Sequence, residues 1–240
     1  MFGDTTDLPL VVRTRTATGC GYGGQHSMDA VGLYAMFSGW RMVAPSNAFD
    51  YIGLFNSAMQ SLDPVVIMEH HTLYPMKFPV PKDNLDYFIP LNKARVAHPG
   101  KDVTVLTYSS MTVRCENLLP AFAEQGVQPE IIDLRTVDLP GLDYETIGQS
   151  VRKTHAVVTV EQAAGGHSIG SRIAAGIQER FFDELDQPIA CLTSLDIPNP
   201  VSKVLEAEAM ISDQTILEGI ISVAKRTRDV GSVFLLATTH

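Results

Sequence analysis

The densest group of chemically useful residues runs Thr18-Gly19-Cys20-Gly21-Tyr22-Gly23-Gly24-Gln25-His26-Ser27. Glycines let a backbone take positive φ and approach a ligand closely. The segment follows an apolar run and precedes a stretch of helical period. His26 is therefore placed at the N-terminus of a helix, where free N–H groups and partial positive charge gather. A protonated imidazole is disfavoured there. A neutral one can accept a proton or donate a hydrogen bond to developing charge. The alternative is a surface histidine beside a flexible loop.

Gly19, Gly21 and Gly24 also satisfy GxGxxG, but a dinucleotide fingerprint needs the glycines directly after a strand and an acid about 20 positions on. Here five residues, Thr14 to Thr18, intervene, and the corresponding strand end is Ala44. The match is read as coincidence. Glu69-His70-His71 cannot set three consecutive side chains on one face, so a hydrogen-bonding role at a strand end is expected rather than a metal triad. His167 lies in a second glycine cluster, Ala163 to Gly170, read as a tight turn and helix start that also offers an anion site. Arg135, in Asp133-Leu134-Arg135-Thr136, suits a carboxylate or phosphate, or an internal salt bridge. No Ser-His-Asp, P-loop or zincin spacing occurs, which favours chemistry supplied by a bound cofactor.

The elements around these residues alternate. Strands are expected at 9–13, 41–44, 63–69, 103–108, 129–134, 155–161 and 188–192. Helices are expected at 27–37, 48–61, 112–125, 144–153, 169–182 and 216–225. Residues 70–92 carry Pro75, Pro79, Pro81 and Pro90 and read as an irregular linker. Such alternation implies an α/β fold with parallel sheets covered by helices. Four strands after the linker can close a core of their own. Three strands before it would leave apolar edges open, so that region is expected to belong to something larger, either upstream sequence or a partner chain. The 240 residues carry a net charge of -9, which disfavours nucleic acid. No apolar run spans a bilayer, and the first ten residues lack the pattern of a signal peptide, so a cytoplasmic address without membrane contact is expected. Cys20, Cys115 and Cys191 are too scattered for a disulfide framework or zinc site. Cys191 in Pro188–Leu192 is expected to be buried and inert. No structural role follows for the tail at 226–240.

An ordered set of short motifs resembles a known family. Leu10–Arg13, then Gly24-Gln25-His26-Ser27, Val43–Ser46 with Asp50, Asp63–Val66, and Glu69-His70 with Leu73-Tyr74 are similar to the beta subunits of thiamine-diphosphate-dependent 2-oxoacid dehydrogenases. These are the decarboxylating components of pyruvate, branched-chain and acetoin dehydrogenase complexes. Asp133–Thr136, Val160-Glu161 with Gly165-Gly166, and Pro198-Asn199-Pro200 extend the likeness over residues 8–225.

The resemblance implies part of a pyrimidine-binding domain at 1–90 and a transketolase C-terminal-like domain with a mostly parallel sheet at 91–240. It implies oxidative decarboxylation of a 2-oxoacid and acyl transfer to a lipoyl group, with His26 as the catalytic residue of this chain. The partners implied are an alpha subunit holding the diphosphate and Mg2+, a second beta chain in a heterotetramer, and a lipoyl-bearing acyltransferase. The family's cofactor-activating glutamate and its pyrimidine-stacking aromatic lie upstream of Leu10 and have no counterpart here, so the chain is expected to be truncated and inactive alone. A structural K+ site implied for some members maps to main-chain carbonyls of Leu10, Ala58, Met59, Ser61 and Asp63, with Ser61 where an acid is common. Two other readings stand beside this one: a non-catalytic assembly domain, and part of another transketolase-family enzyme.

Overall fold

The computed structural model describes residues 6–225. The first region forms a parallel three-stranded sheet of β1 (Val11–Thr16), β2 (Arg41–Val43) and β3 (Val65–His70), in the order β1-β3-β2. The second forms a five-stranded sheet of β4 (Arg95–His98), β5 (Val103–Thr107), β6 (Pro129–Asp133), β7 (Val157–Ala164) and β8 (Ala190–Ser194), in the order β4-β6-β5-β7-β8. All pairs in it are parallel except β4 with β6. The α/β class is as expected.

Sequence and burial agree in the central strands. β3 and β5 are rich in apolar residues and lie centrally, buried along their whole length. β1 pairs only with β3, Val11 against Val65 through Thr16 against His70. Its other edge is unpaired among the described residues, leaving Leu8, Leu10 and Val12 exposed. The open apolar edge expected for a three-stranded sheet is thus present in the chain.

Strand alternation sends neighbouring side chains to opposite faces. Val43, Val65 and Ile67 face α2 (Ala48–Met59) and form a small core with Leu54 and Ala58. Met42, Ala44, Val66 and Met68 face the other way, into a cluster that includes Leu106, Ile132, Ile169 and Ile173 of the second region. The second region also has a core of its own around Val105, Phe122, Val158 and Ile220. Its core is therefore only partly independent, because the first sheet shares its inner face. A seam of main-chain hydrogen bonds joins the two: Ala44 N–H to Arg135 O at 2.8 Å and Val137 N–H to Met42 O at 2.9 Å.

Several elements differ from expectation. The helix expected over 27–37 shrinks to α1 (Val31–Tyr34), because the buried Asp29 carboxylate accepts the Val31 N–H at 3.0 Å and holds 27–30 as a turn. The helix expected over 112–125 is two, α3 (Ser110–Asn117) and α4 (Leu119–Glu124), broken where Pro120 cannot donate. β4 was not anticipated, being short, charged and at the sheet edge. The remaining helices are α5 (Tyr144–Thr154), α6 (Ile169–Phe181), α7 (Lys203–Ala209) and α8 (Asp213–Ala224). α7 was also unforeseen, because a proline-rich stretch precedes it. Cys191, expected to be buried, is exposed, since β8 is an edge strand and only Leu192 turns inward. Cys20, Cys115 and Cys191 are free thiols. No helix among the described residues is long and apolar enough to cross a membrane. The tail at 226–240 lies outside the described residues.

Candidate active site around the glycine loop

β1 ends at Thr16, and the loop that follows folds back on itself. Cys20 N–H donates to Ala17 O, Thr18 Oγ1 to Ser27 O, and Tyr22 N–H to Ser27 Oγ. Gly19, Gly21 and Gly23 have φ of 88°, 75° and 73°, values that L side chains rarely adopt. His26 and Ser27 both donate their N–H to Gly23 O, at 3.2 and 2.8 Å. This turn presents the His26 side chain to solvent. His26 therefore stands on a closed glycine turn, five residues before α1, and not at the helix N-terminus that the spacing suggested. The absence of a helix opening at the glycines also agrees with reading GxGxxG as coincidence.

Beside this loop lie the C-terminal ends of β1 and β3, brought level by the pairing of Thr16 with His70. In open parallel sheets ligands bind beyond these ends. Tyr22 meets the His71 ring edge-on at 5.9 Å, and His71 meets Tyr74 likewise at 5.6 Å. Glu69 is occupied: it accepts from Arg13 Nε at 2.5 Å and Nη2 at 3.2 Å, from Tyr51 at 2.9 Å and from Tyr74 at 2.6 Å. Burial acts to raise its pKa, but the hydrogen bonds from Arg13, Tyr74 and Tyr51 prevail and hold it below the ordinary carboxylate value. His70 is buried, which drives its pKa down to about 4, so its ring is neutral at pH 7. Its Nδ1 accepts the Thr72 N–H, the strand-end role expected for it. A cleft of about 350 Å³ opens beside the loop, lined among others by Thr18, Gly19, His70, Gln162 and Lys203. No group of three or more His, Cys, Asp or Glu among the described residues is placed to hold a metal.

The second region closes the site from behind. The helix start at His167 is a single 3-10 turn, Gly165–His167, leading into α6. Its potential anion site is filled by the protein's own Glu161, which accepts from Ile169 N–H at 3.2 Å, Gly170 N–H at 2.8 Å and the Ser168 hydroxyl. Tyr108 Oη lies 3.2 Å from Asp29 and 3.3 Å from Glu161, between two buried carboxyl groups. Burial pushes both acids up, Glu161 to about 7. The trio of Asp29, Tyr108 and Glu161 was not foreseen. Its members come from distant segments, and the one hint was an acid ending an otherwise apolar strand.

Arg135 makes the internal salt bridge that was one of its two readings, to the buried Asp50. Arg95 joins it, 3.3 Å from both Asp50 and Asp133. The five residues of the implied cation site lie apart from the His26 loop, at the start of β1 and around the C-terminus of α2. There Leu10 O accepts from Val65 N–H, and Ala58 O accepts from Ser61 N–H.

Comparison with known proteins bears on this arrangement. Residues 92–216 match the family model of the transketolase C-terminal domain. The chain is 36% identical over 228 residues to the pyruvate dehydrogenase E1 component subunit beta of Porphyra purpurea, covering 95% of this chain and 68% of that protein. It is 35% identical to the mitochondrial subunit of the same name from Dictyostelium discoideum, covering 95% and 64%. It thus spans about two thirds of the length of these relatives. A solved structure described as a split-gene transketolase, an inactive beta4 tetramer, superposes with a TM-score of 0.70 at 18% identity, covering 93% of this chain and 71% of that one, and shows a shared fold. With a glycine-loop histidine at the strand ends, a transketolase C-terminal domain behind it and more than a third of residues shared along nearly its whole length, the chain belongs to the family of the pyruvate dehydrogenase E1 beta subunits.

Proposed function

We propose that this chain is the beta-type contribution to a 2-oxoacid dehydrogenase, in which His26 acts on the substrate or on the acyl-transfer step. The observation that carries this is the exposed imidazole on a closed glycine turn at the C-terminal ends of β1 and β3. A solvent-facing, rigidly based histidine can donate a hydrogen bond to, or exchange a proton with, a carbonyl or thiol brought to it from outside. Thiamine diphosphate with Mg2+ supplies the decarboxylation chemistry in the proposed assembly. The described residues do not by themselves fit that cofactor. Glu69 is saturated by Arg13, Tyr51 and Tyr74, and Asp29 and Glu161 are buried behind the loop. None of these three carboxyl groups is left to activate an aminopyrimidine. The cofactor contacts then come from outside the described residues, including an alpha subunit.

A second beta chain, a lipoyl-bearing acyltransferase and a cytoplasmic address complete the proposal, as do domain limits of 1–90 and 91–240. So does a K+ ion at the carbonyls of Leu10, Ala58, Met59, Ser61 and Asp63. The C-terminus of α2 has partial negative charge there, which suits a cation, although Leu10 O and Ala58 O would each have to bind it alongside the N–H they already accept.

The test is reconstitution with the alpha subunit and lipoyl acceptor. His26→Ala is expected to lower acyl transfer by about 100-fold, in the range of lost general acid–base assistance. The isolated chain is expected to give no calorimetric signal with thiamine diphosphate. An assembly-only role, favoured by the open apolar edge of β1, predicts full acyl transfer in His26→Ala.

A further inference from the structure

The His26 loop is held from the other domain. Gly21 N–H donates to Glu206 Oε2 at 2.5 Å, across 185 residues of sequence. Glu206 lies on α7 and is fully buried, and its second oxygen, Oε1, has no hydrogen-bond partner among the described residues. The same segment packs against all three positive-φ glycines of the loop. A Cβ at Gly21 would stand 2.5 Å from Lys203 Cγ, one at Gly23 2.8 Å from Val201 Cγ2, and one at Gly19 3.3 Å from Met210 Sδ. The loop backbone therefore lies in a shallow cradle of residues 201–210, and the Gly21–Glu206 bond is a polar anchor in it.

We propose that Glu206 is a positioning residue, whose buried carboxylate sets the glycine turn that presents His26. This rests on the reading that His26 acts in the proposed site. Two features argue against a merely stabilising role. A buried carboxylate with an unpartnered oxygen costs free energy, and an apolar side chain of similar volume would avoid that cost. The bond also reaches a turn whose own N–H and C=O groups already close it internally. What the anchor adds is the placement of the turn relative to the second domain.

The test compares Glu206→Met with Glu206→Gln in the full chain, by amide hydrogen exchange resolved over residues 17–28 and by thermal melting. The Gln carbonyl can still accept the Gly21 N–H, whereas Met cannot. Glu206→Met is expected to speed exchange in this segment at least 10-fold with Tm unchanged or raised, and Glu206→Gln to stay within about threefold of the parent. In the chain reconstituted with its alpha subunit, Glu206→Met is expected to lower kcat for acyl transfer with KM for the 2-oxoacid unchanged, and Glu206→Gln to restore most of it. A fall in Tm with exchange rising throughout the molecule would make Glu206 a structural residue and overturn the assignment. Unchanged loop exchange in Glu206→Met beside a crippled His26→Ala would overturn the Glu206 assignment alone. Full activity in His26→Ala would overturn both.

Discussion

Two buried acids, Asp29 and Glu161, share the hydroxyl of Tyr108 behind the His26 loop. Burial raises both, and Glu161 reaches about 7. The folded protein then keeps the Glu161 proton to a higher pH than the unfolded chain does. Folding takes up a proton between the ordinary glutamate value of about 4.3 and 7, so this group's contribution to stability falls as pH rises through that window. Glu161→Gln removes the titration but keeps an oxygen for the Ile169 and Gly170 N–H groups. The wild type should therefore gain on the variant as pH is lowered from 8 to 5, by on the order of 1–3 kcal/mol. Urea melts of both proteins across that range measure the difference. A difference that does not change with pH would mean that Glu161 titrates in the folded state as it does in the unfolded chain.

The turn from Ser27 to Tyr34 depends on one missing side chain. Gly32 sits on α1 where a Cβ would lie 1.8 Å from the His167 carbonyl oxygen, with Ile169 N at 3.3 Å. Backbone, not a flexible side chain, occupies the space, so Gly32→Ala must push α1 off the Gly165–His167 turn. The expected cost is about 1–3 kcal/mol, as for other overpacked sites. A guanidinium melt should show the midpoint falling with its slope unchanged. This contact also explains why α1 is short: 27–30 is tied by Asp29, and the next turn is pressed against a loop from 135 residues later. Helical periodicity in Ser27–Phe37 could not register those two tertiary constraints, and Leu33, Met36 and Phe37 of that stretch are exposed rather than buried.

The two sheets are joined by the shared apolar face and by a buried charge cluster. Arg95 bridges Asp50, from the first region, and Asp133, from the second, and Arg135 pairs with Asp50. Asp50 is also held by Asn47 at 2.7 Å. Arg135→Met would leave Asp50 buried with fewer partners. Removing one member of a buried pair is destabilising, here by about 1–3 kcal/mol, because Arg95 and Asn47 compensate the remaining charge only in part. The companion variant Arg135→Met with Asp50→Leu should recover most of that loss, measurable as a double-mutant cycle by denaturant melting. If the single variant is neutral, the cluster does not tie the regions together.

Local pattern alone determined the α/β class, the central strands β3 and β5, the helices α5, α6 and α8 to within a few residues, the open edge of the first sheet and the glycine loop that bears His26. Each of these is written in neighbouring residues, as an apolar run, a helical period or a glycine cluster. Motif order also pointed to the family. Tertiary structure alone decided where His26 stands, which acid plugs the α6 N-terminus, that Arg135 is spent on Asp50, and that Glu206 reaches Gly21. Those outcomes depend on partners up to 185 positions away and on which face of a strand meets which region. A hydrogen bond between distant residues leaves no periodic trace in sequence, because its energy depends on distance and burial in the folded chain, not on spacing along it.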